Sequence, residues 1–105
     1  MIHWHYDHTL SLERLKQLIF DERGYFCEYC GLEYWSQLHH CLLHRSRRYP
    51  QLNAAVNLQA VCPRCHMNGG VNSRENKQKF RELQIGRGYD PDRWISELPL
   101  KIHGH

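Results

Sequence analysis

Residues 27–30 read CEYC and residues 62–66 read CPRCH, with 31 residues between the two pairs. A Cys-x-x-Cys turn presents two thiolates to one ion, and zinc takes four such ligands in a tetrahedron. Two turns separated by a strand, a loop and a strand close that set with Cys27, Cys30, Cys62 and Cys65. Two unrelated buried pairs or a redox motif are the competing readings. A redox motif, however, needs only one pair, placed at a strand-to-helix turn of a βαβ unit. The odd total of five cysteines also disfavours a disulfide framework. Cys41 is left over and reads as a small core residue. A site with four protein ligands is coordinatively full, so this ion is structural and not catalytic. Such a site contributes on the order of 10–16 kcal/mol of apparent binding energy. Net domain stability is roughly 5–15 kcal/mol, so the metal is expected to decide whether the chain folds.

Working outward, residues 25–33 read as a tight metal knuckle, with Gly31 letting the backbone turn just past Cys30. Residues 35–43, WSQLHHCLL, are apolar and aromatic without a breaker and predict a strand. A basic loop over 44–55 follows, then a short strand over 56–61, opened by Val56 and Asn57. Pro63 suits the first position of a helical turn, which Gly69-Gly70 interrupts. Before the knuckle, Leu12, Leu15, Leu18 and Ile19 share a helical face behind Ser11 as cap, predicting a helix over about 11–21. Ser73 caps a helix over 74–85. Asp90-Pro91 opens a last one over 91–98, with Trp94 and Leu98 one turn apart. The chain is read as one α+β domain spanning 1–105, with a frayed KIHGH tail.

The chain carries 41% apolar and 24% charged residues, which suits a folded domain and not a disordered one. No run approaches the roughly 18 to 20 apolar residues of a membrane span, so no membrane role is expected. The N-terminus lacks the layout of a secretory signal. The net charge of +3 says little alone, but its distribution says more. All eleven carboxylates lie in 1–33 or 75–105. From Tyr34 to Arg74 there is none, while Arg45, Arg47, Arg48, Arg64 and Arg74 are present. That cationic stretch predicts a surface that meets phosphates; the blander reading is a solvated loop.

The same stretch holds the histidines that matter. His39 and His40 are adjacent on the first strand and so face opposite sides. His66 follows the last cysteine of the quartet. One strand His and one helix His could hold an ion with open positions, leaving the other strand His as a base. Taken in order, LHH (38–40), VNLQAVC (56–62) and CPRCH (62–66) resemble the HNH nucleases, whose active site is a ββα-metal fold. The resemblance covers about residues 25–72, near half the chain. It includes a structural zinc built from two Cys-x-x-Cys pairs, and the lone compact domain is most similar to phage or prophage members.

The resemblance implies roles. His40 matches the general base that takes a proton from water, and its neutral form must be populated near pH 7. Asn57 matches the middle Asn, which orients the hairpin and loop by hydrogen bonds. His39 stands where many members carry Asp as a ligand of the catalytic divalent ion, and His66 matches the second ligand. His at 39 removes a negative charge, shifting preference toward Mn²⁺, Ni²⁺ or Zn²⁺ over Mg²⁺. Some members carry a further His where this chain has Gly70, so two protein ligands are expected. The implied function is metal-dependent hydrolysis of DNA phosphodiester bonds, in the cytoplasm of a bacterial or phage-infected cell, on double-stranded substrate held by its backbone. A homodimer is left open.

The expected phosphate contacts are Arg45 first, then Arg47 and Arg48, with Arg64, Arg74 and Lys77 beside the site. No element looks like a dedicated base-reading motif, so sequence preference should be weak. The functions set against the nuclease are a non-catalytic zinc-stapled nucleic-acid-binding module and an accessory subunit of a phage DNA-processing machine. His3, His5, His8, His103 and His105 are read as solvated.

Overall fold

The computed structural model describes residues 9–98; the five terminal histidines and the KIHGH tail lie outside them. Among these residues the fold is α+β, with four α-helices and one two-stranded antiparallel sheet. Helix α1 spans Leu12–Arg23, with the Ser11 side chain accepting the Arg14 N–H at 3.1 Å. Leu15 and Ile19 carry its buried face, while Leu12 is exposed. The knuckle follows, its ends tied by a bridge between Phe26 and Tyr34. Gly31, at φ 70°, makes its turn, in the left-handed region that side chains avoid.

Strand β1 is Gln37–His40 and strand β2 is Leu58–Val61, in a register that pairs His40 with Leu58 and Gln37 with Val61. Both strands are shorter than the expected 35–43 and 56–61, and where they enter the connection one residue is the reason. Asn57 does not open β2; it ends a 3₁₀ turn over Ala55–Asn57. Its side-chain oxygen accepts the N–H groups of Leu42 and Leu43 at 2.9 and 2.8 Å, and its amide donates to the carbonyls of Leu43 and Leu52, each at 2.9 Å. The Cys41 N–H still reaches the Asn57 carbonyl at 2.9 Å, but from Leu42 onward the backbone bonds to the Asn57 side chain instead of continuing a ladder. Asn57 is fully buried, so the connection 41–57 is closed around it.

Strand β2 runs straight into helix α2, Pro63–Asn68, which lies against β1. Helix α3, Arg74–Gly86, is capped by the Ser73 side chain. Helix α4, Pro91–Ser96, is capped by Asp90 and stops two residues before the expected end. Leu15, Ile19, Leu52, Val56, Leu58 and Trp94 belong to the main core, and Cys27, Val61, Cys62, Cys65 and Val71 form a second one. Cys41 packs with Leu42 and Phe80 in a third, apart from the other cysteines. Helix α3 docks through buried amides: Asn76 and Gln59 exchange two hydrogen bonds, and Gln84 donates to the carbonyls of Ala55 and Val56.

A buried ion network joins the knuckle to both flanking helices. Arg23 donates to Glu22 at 2.7 Å, to Glu28 at 3.1 Å, and to the carbonyls of Leu58 and Ala55 at 2.5 and 2.9 Å. Glu28 also accepts the Ala60 N–H at 2.6 Å and pairs with Arg87 at the end of α3. Its position inside the first Cys-x-x-Cys ties the metal loop to the core.

Candidate metal centre and active-site cleft

The sulfurs of Cys27, Cys30, Cys62 and Cys65 all lie within 4.8 Å of one another. Those of Cys30 and Cys62 are 4.0 Å apart. A zinc–thiolate bond of about 2.3 Å sets a tetrahedral edge of about 3.8 Å, so the four sulfurs fit one ion. Backbone donors point the same way. The N–H groups of Tyr29 and Cys30 reach Cys27 Sγ at 3.4 and 3.5 Å, and the Leu32 N–H reaches Cys30 Sγ at 3.5 Å. The Leu32 N–H, followed by that of Glu33, pulls the Cys30 thiol down to about 6, readying it as a thiolate. The quartet can therefore hold a structural metal ion such as zinc. Cys41 stands outside it, and burial pushes its thiol up to about 12.

Among the described residues no other group of three or more His, Cys, Asp or Glu side chains gathers at metal-ligand distance. The rings of His39 and His66 do meet, edge to face, with centroids 5.6 Å apart. Each ring is held by an oxygen that can only accept. His39 Nε2 donates to the Val71 carbonyl at 3.1 Å, and His66 Nδ1 donates to Gln37 Oε1 at 2.5 Å. The opposite nitrogens, His39 Nδ1 and His66 Nε2, keep their lone pairs, as a ligand imidazole requires. His39 is buried, and burial, with the neighbouring His66 adding, holds its pKa below the ordinary value.

His40 lies on the other face of β1 and lines a cleft of about 460 Å³ with Lys16, Gln37, Arg45, Asn53 and His66. Its Nε2 donates to Asn53 Oδ1 at 2.7 Å, which leaves Nδ1 free to accept a proton. Burial lowers its pKa below the usual 6.5; the Asn53 bond opposes this, and the Arg45 charge reinforces it. Among the described residues no Asp or Glu lines the cleft.

The structure thus brings His39 to His66, and His40 to His66 and Arg45. Of the other expected phosphate contacts, Arg47, Arg48 and Arg74 are exposed and lie outside the cleft. Arg64 is engaged by Glu33 at 3.3 Å and is not at the cleft. Lys77 lines a neighbouring groove. Gln37 and Asn53, which orient two of the three rings, were not singled out from the sequence; a lone amide in a strand or loop carries no pattern. A Cβ at Gly70 would stand 2.7 Å from the hydroxyl of the exposed Tyr29 side chain, so a larger residue there needs only that ring to shift.

Among the described residues no helix is long and apolar enough to cross a membrane. Comparison with known protein families, curated proteins and solved structures finds no match for this chain.

Proposed function

We propose that the protein is a metal-dependent DNA endonuclease of the HNH type, with a ββα-metal centre formed by β1, β2 and α2 and stapled by zinc on the cysteine quartet. The observation that carries this reading is the shared cleft: His40 with a free Nδ1, His66 with a free Nε2 and Arg45, with no carboxylate among the described residues that line it. A phosphodiester meets only cations and neutral groups there.

His66, which lines the cleft, and His39, which meets it from the other face of β1 outside the cleft lining, would hold the catalytic divalent ion, since their hydrogen bonds leave one lone pair on each ring. When bound, that ion supplies Lewis-acid stabilisation of the charge developing on the phosphate and the leaving oxygen. His40 Nδ1 takes the proton from the attacking water, and Asn53 holds the ring in the tautomer that permits it. Arg45 offers a planar, permanently charged donor pair to a phosphate oxygen. Asn57 keeps the connection 41–57 closed so that His40 and Arg45 stay on one cleft. The expected products are 5′-phosphate and 3′-hydroxyl ends.

Supercoiled plasmid incubated with purified protein and Mn²⁺, Ni²⁺, Zn²⁺ or Mg²⁺ in turn tests the reading. Conversion to nicked or linear forms, lost in His40→Ala, is expected. Tight DNA binding with no cleavage in any ion would instead favour the non-catalytic binding module.

A further inference from the structure

Arg45 lines two hollows at once. One is the cleft with His40 and His66. The other is a groove of about 470 Å³ between the basic connection and helices α3 and α4. That volume falls in the roughly 300–1,000 Å³ range of small-ligand pockets. Its floor is apolar, with Leu43, Leu52 and Ile95, and Tyr49 is the aromatic in its lining. His44, Arg45 and Lys77 are the basic side chains in that lining, and no carboxylate of the described residues joins them. An occupant that suits this lining combines a flat or apolar body with negative charge beside it, within reach of Arg45, the one residue both linings share. A nucleotide has that composition: an apolar-faced base and a phosphate one sugar away.

Bases in an intact duplex hide their faces in the stack, so one can enter such a groove only if unpaired or extruded, and extrusion costs least where pairing is already lost. We propose that the groove receives the base of an unpaired nucleotide adjoining the phosphate at the His40–His66 cleft, which makes DNA with bulged, branched or single-stranded positions the preferred substrate class. This rests on the nuclease reading for what happens at the phosphate, but the base subsite is read by binding alone.

The test uses two duplexes of one sequence, one fully paired and one carrying a single bulged 2-aminopurine, titrated with the zinc-loaded full-length protein. The bulged duplex should bind about tenfold tighter, as base stacking on a protein surface allows, and its fluorescence should change on binding. Ile95→Trp fills the groove and should bring the affinity ratio to about one. Lys77→Glu, on an exposed position of α3, guards against a filled variant that fails to fold; it should weaken the bulged duplex more than the paired one. Equal affinity for both duplexes overturns the subsite even if plasmid is cut. A bulge preference without cleavage in any ion upholds the subsite and sinks the nuclease reading. A preference that survives Ile95→Trp, or a bulged probe displaced by an acidic peptide but not by unlabelled single strand, overturns the proposal. So does the absence of any DNA binding, which removes both readings.

Discussion

The Arg23 guanidinium and the Glu28 carboxylate meet at 3.1 Å with side chains only 1% and 5% exposed, deeply buried for a chain of only 105 residues. Breaking an isolated buried pair costs about 3–5 kcal/mol; here Glu28 keeps Arg87 and Arg23 keeps Glu22 when the other is removed, so the cost falls below that. Arg23→Met and Glu28→Gln should still each lower the urea midpoint of the metal-loaded protein. Because Glu28 sits between Cys27 and Cys30, both variants should also bind zinc more weakly. Unchanged zinc affinity in a destabilised Arg23→Met protein would show that the network and the metal loop are uncoupled.

Chelation of the structural ion should unfold the chain, since the cysteine-lined second core has only Val61 and Val71 besides its ligands. A thiol reagent at neutral pH should find no fast-reacting cysteine in the metal-loaded protein, because four sulfurs are ligands and Cys41 is buried with its thiol pushed up to about 12. Five should react after chelation and denaturation. Circular dichroism that is unaltered by strong chelation would remove the staple from the account.

His40→Ala should cost on the order of 100- to 10,000-fold in cleavage rate while DNA affinity stays close to that of the parent. His66→Ala should lose activity through loss of the catalytic ion, and excess Mn²⁺ should partly restore it. Equal rescue of both variants would make His40 a ligand and hand the base role to His39.

Cleavage should keep its rate on the acid side further than an ordinary imidazole base would. Burial and the Arg45 charge lower the His40 pKa below 6.5, so the neutral, proton-accepting form persists as pH falls past that value. The acid limb of kcat/KM should have its midpoint below 6.5. A midpoint above that value would mean that another group limits the rate.

Neutralising Arg45, Arg47 and Arg48 together should weaken DNA binding and flatten its salt dependence by about one unit for each phosphate no longer neutralised. Arg64→Ala should change it far less, because that side chain lies away from the cleft. An unaltered slope in the triple variant would move the phosphate path off the basic connection.

What was legible in the chain was whatever repeats or caps. The two Cys-x-x-Cys turns, the Ser11 and Ser73 caps and Pro63 at a helix start announce themselves by spacing. That one strand histidine would meet His66 followed from placing a hairpin beside a helix; the choice of His39 came from the resemblance to HNH nucleases. The strand ends were not legible, because the competitor for their backbone bonds is the single side chain of Asn57, distant in sequence from Leu42 and Leu43. Charge counting along the chain also cannot see that Glu33, from the acidic side of the sequence, lies 3.3 Å from Arg64. Arg23 was silent for a similar reason: nothing local marks an arginine at a helix end as one that will be buried among two carboxylates and two carbonyls.

Three of the four sulfurs in the quartet are shut away, with Cys27, Cys62 and Cys65 each under a tenth exposed, whereas Cys30 is only partly covered. An acceptor thiol or chelator approaching from solution meets Cys30 first, and the Leu32 and Glu33 N–H groups already favour its thiolate. Metal transfer should then proceed by stepwise handover beginning at that one corner, with a rate that rises with acceptor concentration. Cys30→His, which keeps a ligand but changes the exposed donor, should alter the exchange rate far more than the equilibrium affinity.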